Sequence, residues 1–299
     1  SNGYLSSTDW NTFNSKAAIS GTGVSNQAAI WDGSSQLRSD PTFVIDSNHK
    51  ITLYQPNSVP TDLSNYNIGG GNVANVLGNY NTGFGKDNLN SVTTGSSNSV
   101  FGEQAGNKIT TGSSNVAIGF RSLYKNTIAG SNIAIGGLSL YNNIDGGGNF
   151  AVGSQSMYNN ISGNYNIALG LTALQDNTTG SGNLAIGLSA LEANTTGDSN
   201  IALGGNSLEK STTGGRNIAI GYGSGSLMTT GSKNVIIGRF TGTTGEVPTP
   251  VYDIRTSSNN IVISDGDGTI RQTFNDLGKL TLSNYGSGTH TGTLANTLG

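Results

Sequence analysis

Cysteine is absent from the 299 residues, so neither a disulfide scaffold nor a thiolate metal site is available. That absence fixes no compartment. Charge is scarce as well: Asp, Glu, Lys and Arg make up 10% of the chain, against roughly 25% in ordinary soluble domains. With a net charge of -3, no basic surface offers itself to nucleic acid or to anionic lipid. No run of about eighteen apolar residues exists to span a bilayer. The two histidines, His49 and His290, stand far apart without a metal-ligand pattern and read as surface residues. Proline contributes only 5 residues, and together with 46 glycines stays under the roughly 25–30% typical of low-complexity disorder. The opening SNGYLSS has no basic-then-apolar leader, and GTLANTLG ends without an evident closing element. The expectation is therefore a piece, or a processed form, of something longer.

What the chain does have is a period. The Asn of NIAIG-like segments recurs at Asn81, Asn98, Asn115, Asn132, Asn149, Asn166, Asn183, Asn200, Asn217 and Asn234, each interval being 17 residues without insertion. A fixed period held this long is the mark of a solenoid, in which each repeat supplies one coil and stacks on the next. Taking Asn as position 1, position 4 is apolar in every copy, from Phe84 to Ile237. Position 2 is apolar from Val116 onward, after Thr82 and Ser99, and position 3 is Ala in seven copies from Ala117 to Ala219. This two-residue alternation predicts a strand with large side chains on one face and Ala on the other.

Position 5 is Gly throughout, from Gly85 to Gly238, which suits a corner of positive φ or close backbone approach. Position 9 is Leu89, Leu123, Leu140, Met157, Leu174, Leu191 or Leu208, with Gly106 and Gly225 as exceptions, and its surroundings read as a second short strand. Segments such as Asn177–Gly180 and Asn194–Gly197 read as turns. One coil is then strand, corner, strand, turn, and ten coils at strand spacing make a rod roughly 48 Å long. The Asn column fits either an amide ladder along the rod or simple tolerance of the turn conformation. Three apolar side chains per coil are few against the entropy of ordering seventeen residues. With an Ala face and Gly corners that admit close approach, this predicts a homo-oligomer, a homotrimer in particular.

The flanks are written differently. In GYLSSTDWNTFNSKAA, Ser6 and Asp9 form a capping-box pattern and Leu5 with Trp10 a hydrophobic staple, so a short helix is expected within 1–20. Residues 21–63 read as a β-rich connector, 64–240 as the solenoid shaft, and 241–299 as a β-rich C-terminal segment with strand–turn–strand character over Asn259–Leu282.

The stretch GYLSSTDWNTFNSKAA resembles a segment of tail-fibre and appendage proteins of bacteriophages, especially those related to Bacteroidetes phages. NQAAIWDGSSQL and SSNNIVISDGDGTIRQTF look like their linker and post-repeat pieces. The NIAIG..SL..NTTG coil is similar both to their repeats and to the heads of trimeric autotransporter adhesins of the YadA type. The resemblance covers most of the chain, although the adhesin heads use a shorter coil. It implies a homotrimeric, β-rich fibre on a virion, outside the cell, in contact with other tail proteins and with a host cell-surface glycan or protein receptor. No cofactor, nucleic-acid or membrane partner is expected, and no activity as an enzyme. A bacterial surface adhesin and a glycan-degrading tail-spike are the alternatives.

Candidate chemistry is thin, and the sequence reading assigns no catalytic, cofactor-binding or metal-binding residue. Asp265 and Asp267 are the tightest acidic pair. Glycoside hydrolysis needs two carboxylates at a defined separation, and a calcium loop needs further oxygen ligands beyond DGDG, so a plain turn is the reading taken. The Gly221–Ser226 stretch GYGSGS lacks the Lys-Ser/Thr ending of a phosphate loop and belongs to the repeat. Tyr124, Tyr141 and Tyr158 share one column and suggest either packing between chains or an aromatic strip for sugars. Thr178–Thr179, Thr195–Thr196 and Thr212–Thr213 raise ice binding, but Ile144–Asp145 and Ile161–Ser162 break the array.

Overall fold

The computed structural model describes the backbone of residues 27–31, 37–45, 51–53, 66–67, 72–73, 80–244, 252–274, 278 and 280–282, with side chains described chiefly over 80–244 and 252–274. The helix expected within 1–20 and both histidines lie outside the described residues. Contacts divide the chain into two units, Ser1–Asp62 and Leu63–Gly299. In the first, β1 (Gln27–Trp31), β2 (Leu37–Ile45) and β3 (Ile51–Leu53) form an antiparallel meander in that order.

The second unit is a parallel β-solenoid. After β4 (Tyr66–Asn67) and β5 (Asn72–Val73) come ten three-residue strands. They are β6 (Thr82–Phe84), β7 (Ser99–Phe101), β8 (Val116–Ile118), β9 (Ile133–Ile135), β10 (Phe150–Val152), β11 (Ile167–Leu169), β12 (Leu184–Ile186), β13 (Ile201–Leu203), β14 (Ile218–Ile220) and β15 (Val235–Ile237). Each pairs in parallel with the next, residue on equivalent residue: Ala151 lies beside Ala168, and Ala168 beside Ala185. In-register stacking of this kind follows from coils of identical length, since a slip of one residue would turn every side chain to the opposite face.

The stack does not end where the 17-residue beat ends. β16 (Ile261–Ser264) pairs in parallel with β15, Val235 beside Ile261, after a longer excursion. Asn260 thereby becomes an eleventh Asn mark, a rung that the sequence reading ended one copy too early to include. β17 (Ile270–Phe274) and β18 (Leu280–Leu282) then close that end antiparallel, and β5 on β6 does so at the other. Antiparallel strands at each end shield the parallel stack from open edge pairing.

The predicted second strand of each coil is not a strand. Around position 9 the chain runs through turns in which positions 7 and 9 both take left-handed backbone, as at Arg121 (φ 52) and Leu123 (φ 52) or Thr172 (φ 55) and Leu174 (φ 52). Such a conformation costs a residue with a Cβ about 1–3 kcal/mol. It is maintained because these N–H groups reach the neighbouring coils: Arg121 donates back to the Glu103 carbonyl at 3.0 Å, and Leu123 forward to the Ser139 carbonyl at 2.9 Å. The coils are therefore bonded along the axis through their turns as well as through the sheet. At position 5 the expectation holds: Gly102 has φ 138, and a Cβ there would sit 2.6 Å from the Gly119 carbonyl oxygen.

The faces are reversed relative to expectation. Position 3, the Ala column, is wholly buried from Ala117 to Ala219, and so is the Leu column at position 9. These two columns interleave to form the core. Because a full Leu enters the thin coil from the turn side, only a methyl fits opposite it on the strand. Where position 9 is glycine, as at Gly106 and Gly225, the missing volume is supplied at position 12 by Ile109 and Met228, both buried. The large residues of positions 2 and 4 point outward instead, and Ala mediates packing within the chain rather than between chains.

Candidate functional site

Three long surfaces run parallel to the solenoid axis, and each is built from the column positions. The first is the outer face of the sheet. Phe84, Phe101, Ile118, Ile186, Ile220 and Ile237 at position 4 are about two-fifths exposed, as are Phe150 and Ile167 at position 2. Position 6 extends the face with Phe120, Leu171 and Leu188, about half exposed. Parallel sheets normally have both faces covered, and here one is covered by the coil's own turns while the other is bare aliphatic and aromatic surface. An apolar strip of this length on a single chain is characteristic of an interaction surface.

The interior beneath that face is polar as well as apolar. Every Asn mark from Asn81 to Asn234 is essentially inaccessible. The Oδ1 of each accepts the backbone N–H of the next Asn along the axis at 2.9–3.0 Å. The Nδ2 donates to the carbonyl at position 15 of its own coil, as from Asn166 to Gly180 at 2.8 Å. The ladder reading therefore holds and the turn-tolerance reading does not, since the left-handed residue is the one before the mark, as at Ser114, Ser131 and Tyr165. A second buried ladder, missed in the sequence, runs at position 12 through Asn126, Asn143, Asn160, Asn177 and Asn194, with Nδ2 to Oδ1 distances of 2.7–2.9 Å. Its sequence signal was an Asn at the same 17-residue interval, hidden inside segments read only as turns.

The second surface carries the tyrosines. Tyr124, Tyr141 and Tyr158 stack ring on ring, with centroids 5.2 Å apart and planes within 7° of parallel. Their faces are spent on one another and on Arg121 and Lys125, whose cationic groups lie 5.6 Å and 5.5 Å from the Tyr124 and Tyr141 centroids. A sugar ring would meet mainly the edges of this strip. The first Thr of each TT pair is committed too: Thr178 donates its hydroxyl to the Thr195 carbonyl at 2.9 Å and Thr195 to that of Thr212 at 3.1 Å. That leaves half of the array an ice surface would require.

The third surface is a trench of about 770 Å³ over the turns of five adjacent coils, lined by Tyr165, Thr196, Asp198, Thr213, Arg216 and Lys233 among others. Of two smaller grooves, one holds Asp176 and the other Asp253. None of these three grooves presents two facing carboxylates. Among the described residues no cluster of three or more metal-ligating side chains occurs, and no helix is long and apolar enough to cross a membrane.

The DGDG segment is a turn between β16 and β17. Asp265 Oδ1 accepts the N–H groups of Asp267 and Thr269 at 3.1 and 2.9 Å, while Oδ2 takes the Arg271 guanidinium at 3.0 and 2.5 Å. Desolvation pushes this carboxyl up, but the bonds from Arg271, Thr269 and Asp267 together outweigh it and hold the group below the usual carboxylate value. Both oxygens are thus engaged by the turn itself. In GYGSGS, Gly223 (φ 65) and Gly225 (φ 63) occupy the two left-handed positions of a coil, so these glycines serve the repeat.

No protein-family model, curated protein or solved structure matches the chain. The class defined by the geometry is that of the parallel β-solenoid repeat proteins.

Proposed function

We propose that the chain is a non-enzymatic fibre protein, a homotrimeric shaft of a phage tail or appendage that contributes to attachment at the host surface. The observation that carries the structural half is the bare apolar face of the sheet. Three copies turning this face toward a common axis would cover it, as both sides of a parallel sheet ordinarily are, and a closed cyclic arrangement leaves no unpaired copy to propagate. The virion half is supported by the resemblance of GYLSSTDWNTFNSKAA and the post-repeat segment to phage fibre pieces. A solenoid bonded along its whole length suits a rigid spacer, because each coil contributes its own interface with the next.

The test is to place charge on the face without touching the core. Ile167→Asp with Ile220→Asp alters outward side chains only, so the coil interior is left intact. Light scattering should give a trimer for the unaltered protein and a lower mass for the double variant, with the β-sheet circular dichroism signal retained at high protein concentration. A double variant that keeps the unaltered mass would remove this face from the assembly.

A further inference from the structure

The trench over the turns holds a combination that the shaft has no use for. Position 17 is left-handed in coil after coil and is filled mostly by Ser or Gly. Within the trench it carries Tyr165, Gly182, Ser199, Arg216 and Lys233 in succession. Tyr165 is 76% exposed. A Cβ at Gly148, one coil before, would come within 2.7 Å of its ring, whereas a Cβ at Gly182, one coil after, would meet only the Ser199 hydroxyl at 3.7 Å. The ring thus leans on a glycine on one side and looks across a second glycine into the trench on the other. Unlike the stacked tyrosines, it keeps a free side.

At the far end, Arg216 and Lys233 stand on adjacent coils. Among the described residues neither side chain has an ion-pair or hydrogen-bond partner. The one carboxylate of the trench, Asp198, accepts the Ser181 N–H at 2.7 Å. Like charges on neighbouring rungs repel, and with two cations on successive rungs against the single carboxylate of Asp198, this end of the trench carries net positive charge that an external anion would offset. Thr179, Thr196 and Thr213 also line the trench, and the Ser199 and Ser232 side chains add hydroxyls. An aromatic platform, a run of hydroxyls and a pair of cations, in a line along the axis, match an extended polyhydroxylated chain that bears negative charge.

We propose that this trench binds an acidic polysaccharide, with a sugar ring against Tyr165 and a carboxylate or sulfate between Arg216 and Lys233. This deepens the attachment reading, on which it rests, by assigning the ligand class and the place where it is held.

The experiment is isothermal titration of the assembled protein with hexasaccharides of galacturonate, sialate and sulfated glycosaminoglycan. Neutral maltohexaose and free acetate and sulfate serve as comparisons. At least one acidic hexasaccharide should bind, and the neutral one and the free ions more weakly. Arg216→Gln with Lys233→Gln should cost that ligand about tenfold or more, as loss of charged hydrogen bonds does, and bring it to the neutral level. Tyr165→Ala should weaken acidic and neutral hexasaccharides alike, by about fivefold, within the range of an aromatic contact. Binding to none of the acidic chains, equal binding of the neutral one, equal binding of the free ions, or indifference to the substitutions would each overturn the site. A trimer that fails to bind removes the trench and leaves the shaft standing; a monomer that binds does the reverse.

Discussion

Two amide ladders run side by side through the solenoid, and they behave differently. The one at position 1 is unbroken from Asn81 to Asn260, even across the longer final coil. The one at position 12 spans Asn126 to Asn194 and gives way to Val92 and Ile109 at one end and to Ser211 and Met228 at the other. Both donate to the carbonyl at position 15: Gly180 receives Asn166 at 2.8 Å and Asn177 at 2.9 Å. Only the first also accepts a backbone N–H from the next coil. A side chain that satisfies a buried backbone donor has no apolar substitute, because the orphaned N–H would remain. A side chain that bonds mostly to its own kind can be exchanged together with its neighbours, and at Gly106–Ile109 and Gly225–Met228 it has been.

That difference is open to measurement by chemical denaturation at fixed protein concentration. Asn166→Ala leaves the buried Asn183 N–H without its acceptor and should cost about 3 kcal/mol. Asn160→Ala removes its side-chain bonds to Asn143 and the Gly163 carbonyl and from Asn177 but strands no backbone donor, and should cost about 1–2 kcal/mol. Equal losses would erase the distinction. The smallest effect has the opposite sign. Asn194 Oδ1 and Ser211 Oγ are buried where the second ladder stops, and neither finds a hydrogen-bond partner among the described residues. Ser211→Asn should extend the ladder by one rung and raise stability by about 1 kcal/mol, and a loss instead would mean that Met228 already fills the space the new amide needs.

The outer carboxylate–arginine ion pairs add a modest pH dependence. Asp253 is held below the usual carboxylate range first by its hydrogen bonds from the Arg255 side chain and then by the Arg255 backbone N–H. A depressed folded-state value means that its contribution is present above the unfolded value, about 3.9, and is lost as the pH falls through the folded one. Exposure keeps that contribution small.

The period, the strand at positions 2–4 and the glycine corner were legible because in-register stacking imposes them on every coil alike. Which face turned inward was not. Alternation of large and small residues is symmetric about the sheet, and the usual preference for large side chains inside misled because Leu174 and its equivalents already fill the coil from the turn. That turn was itself misread as a strand, since left-handed backbone at a leucine is rare and leaves no mark in composition. Gly223 and Gly225 were the visible clues, standing where Thr172 and Leu174 stand in another coil. Asn260 was hidden by a change of interval, though NIVIS repeats the grammar of NVIIG at Asn234. The trench escaped notice because its Tyr, Arg and Lys are scattered at 17-residue multiples and meet only when the coils stack.

The central claim is that the outward apolar face is covered by other copies of the same chain. Native mass spectrometry of the intact protein tests it most directly: the account predicts a single species of three chains, and a stable monomer at micromolar concentration would contradict it.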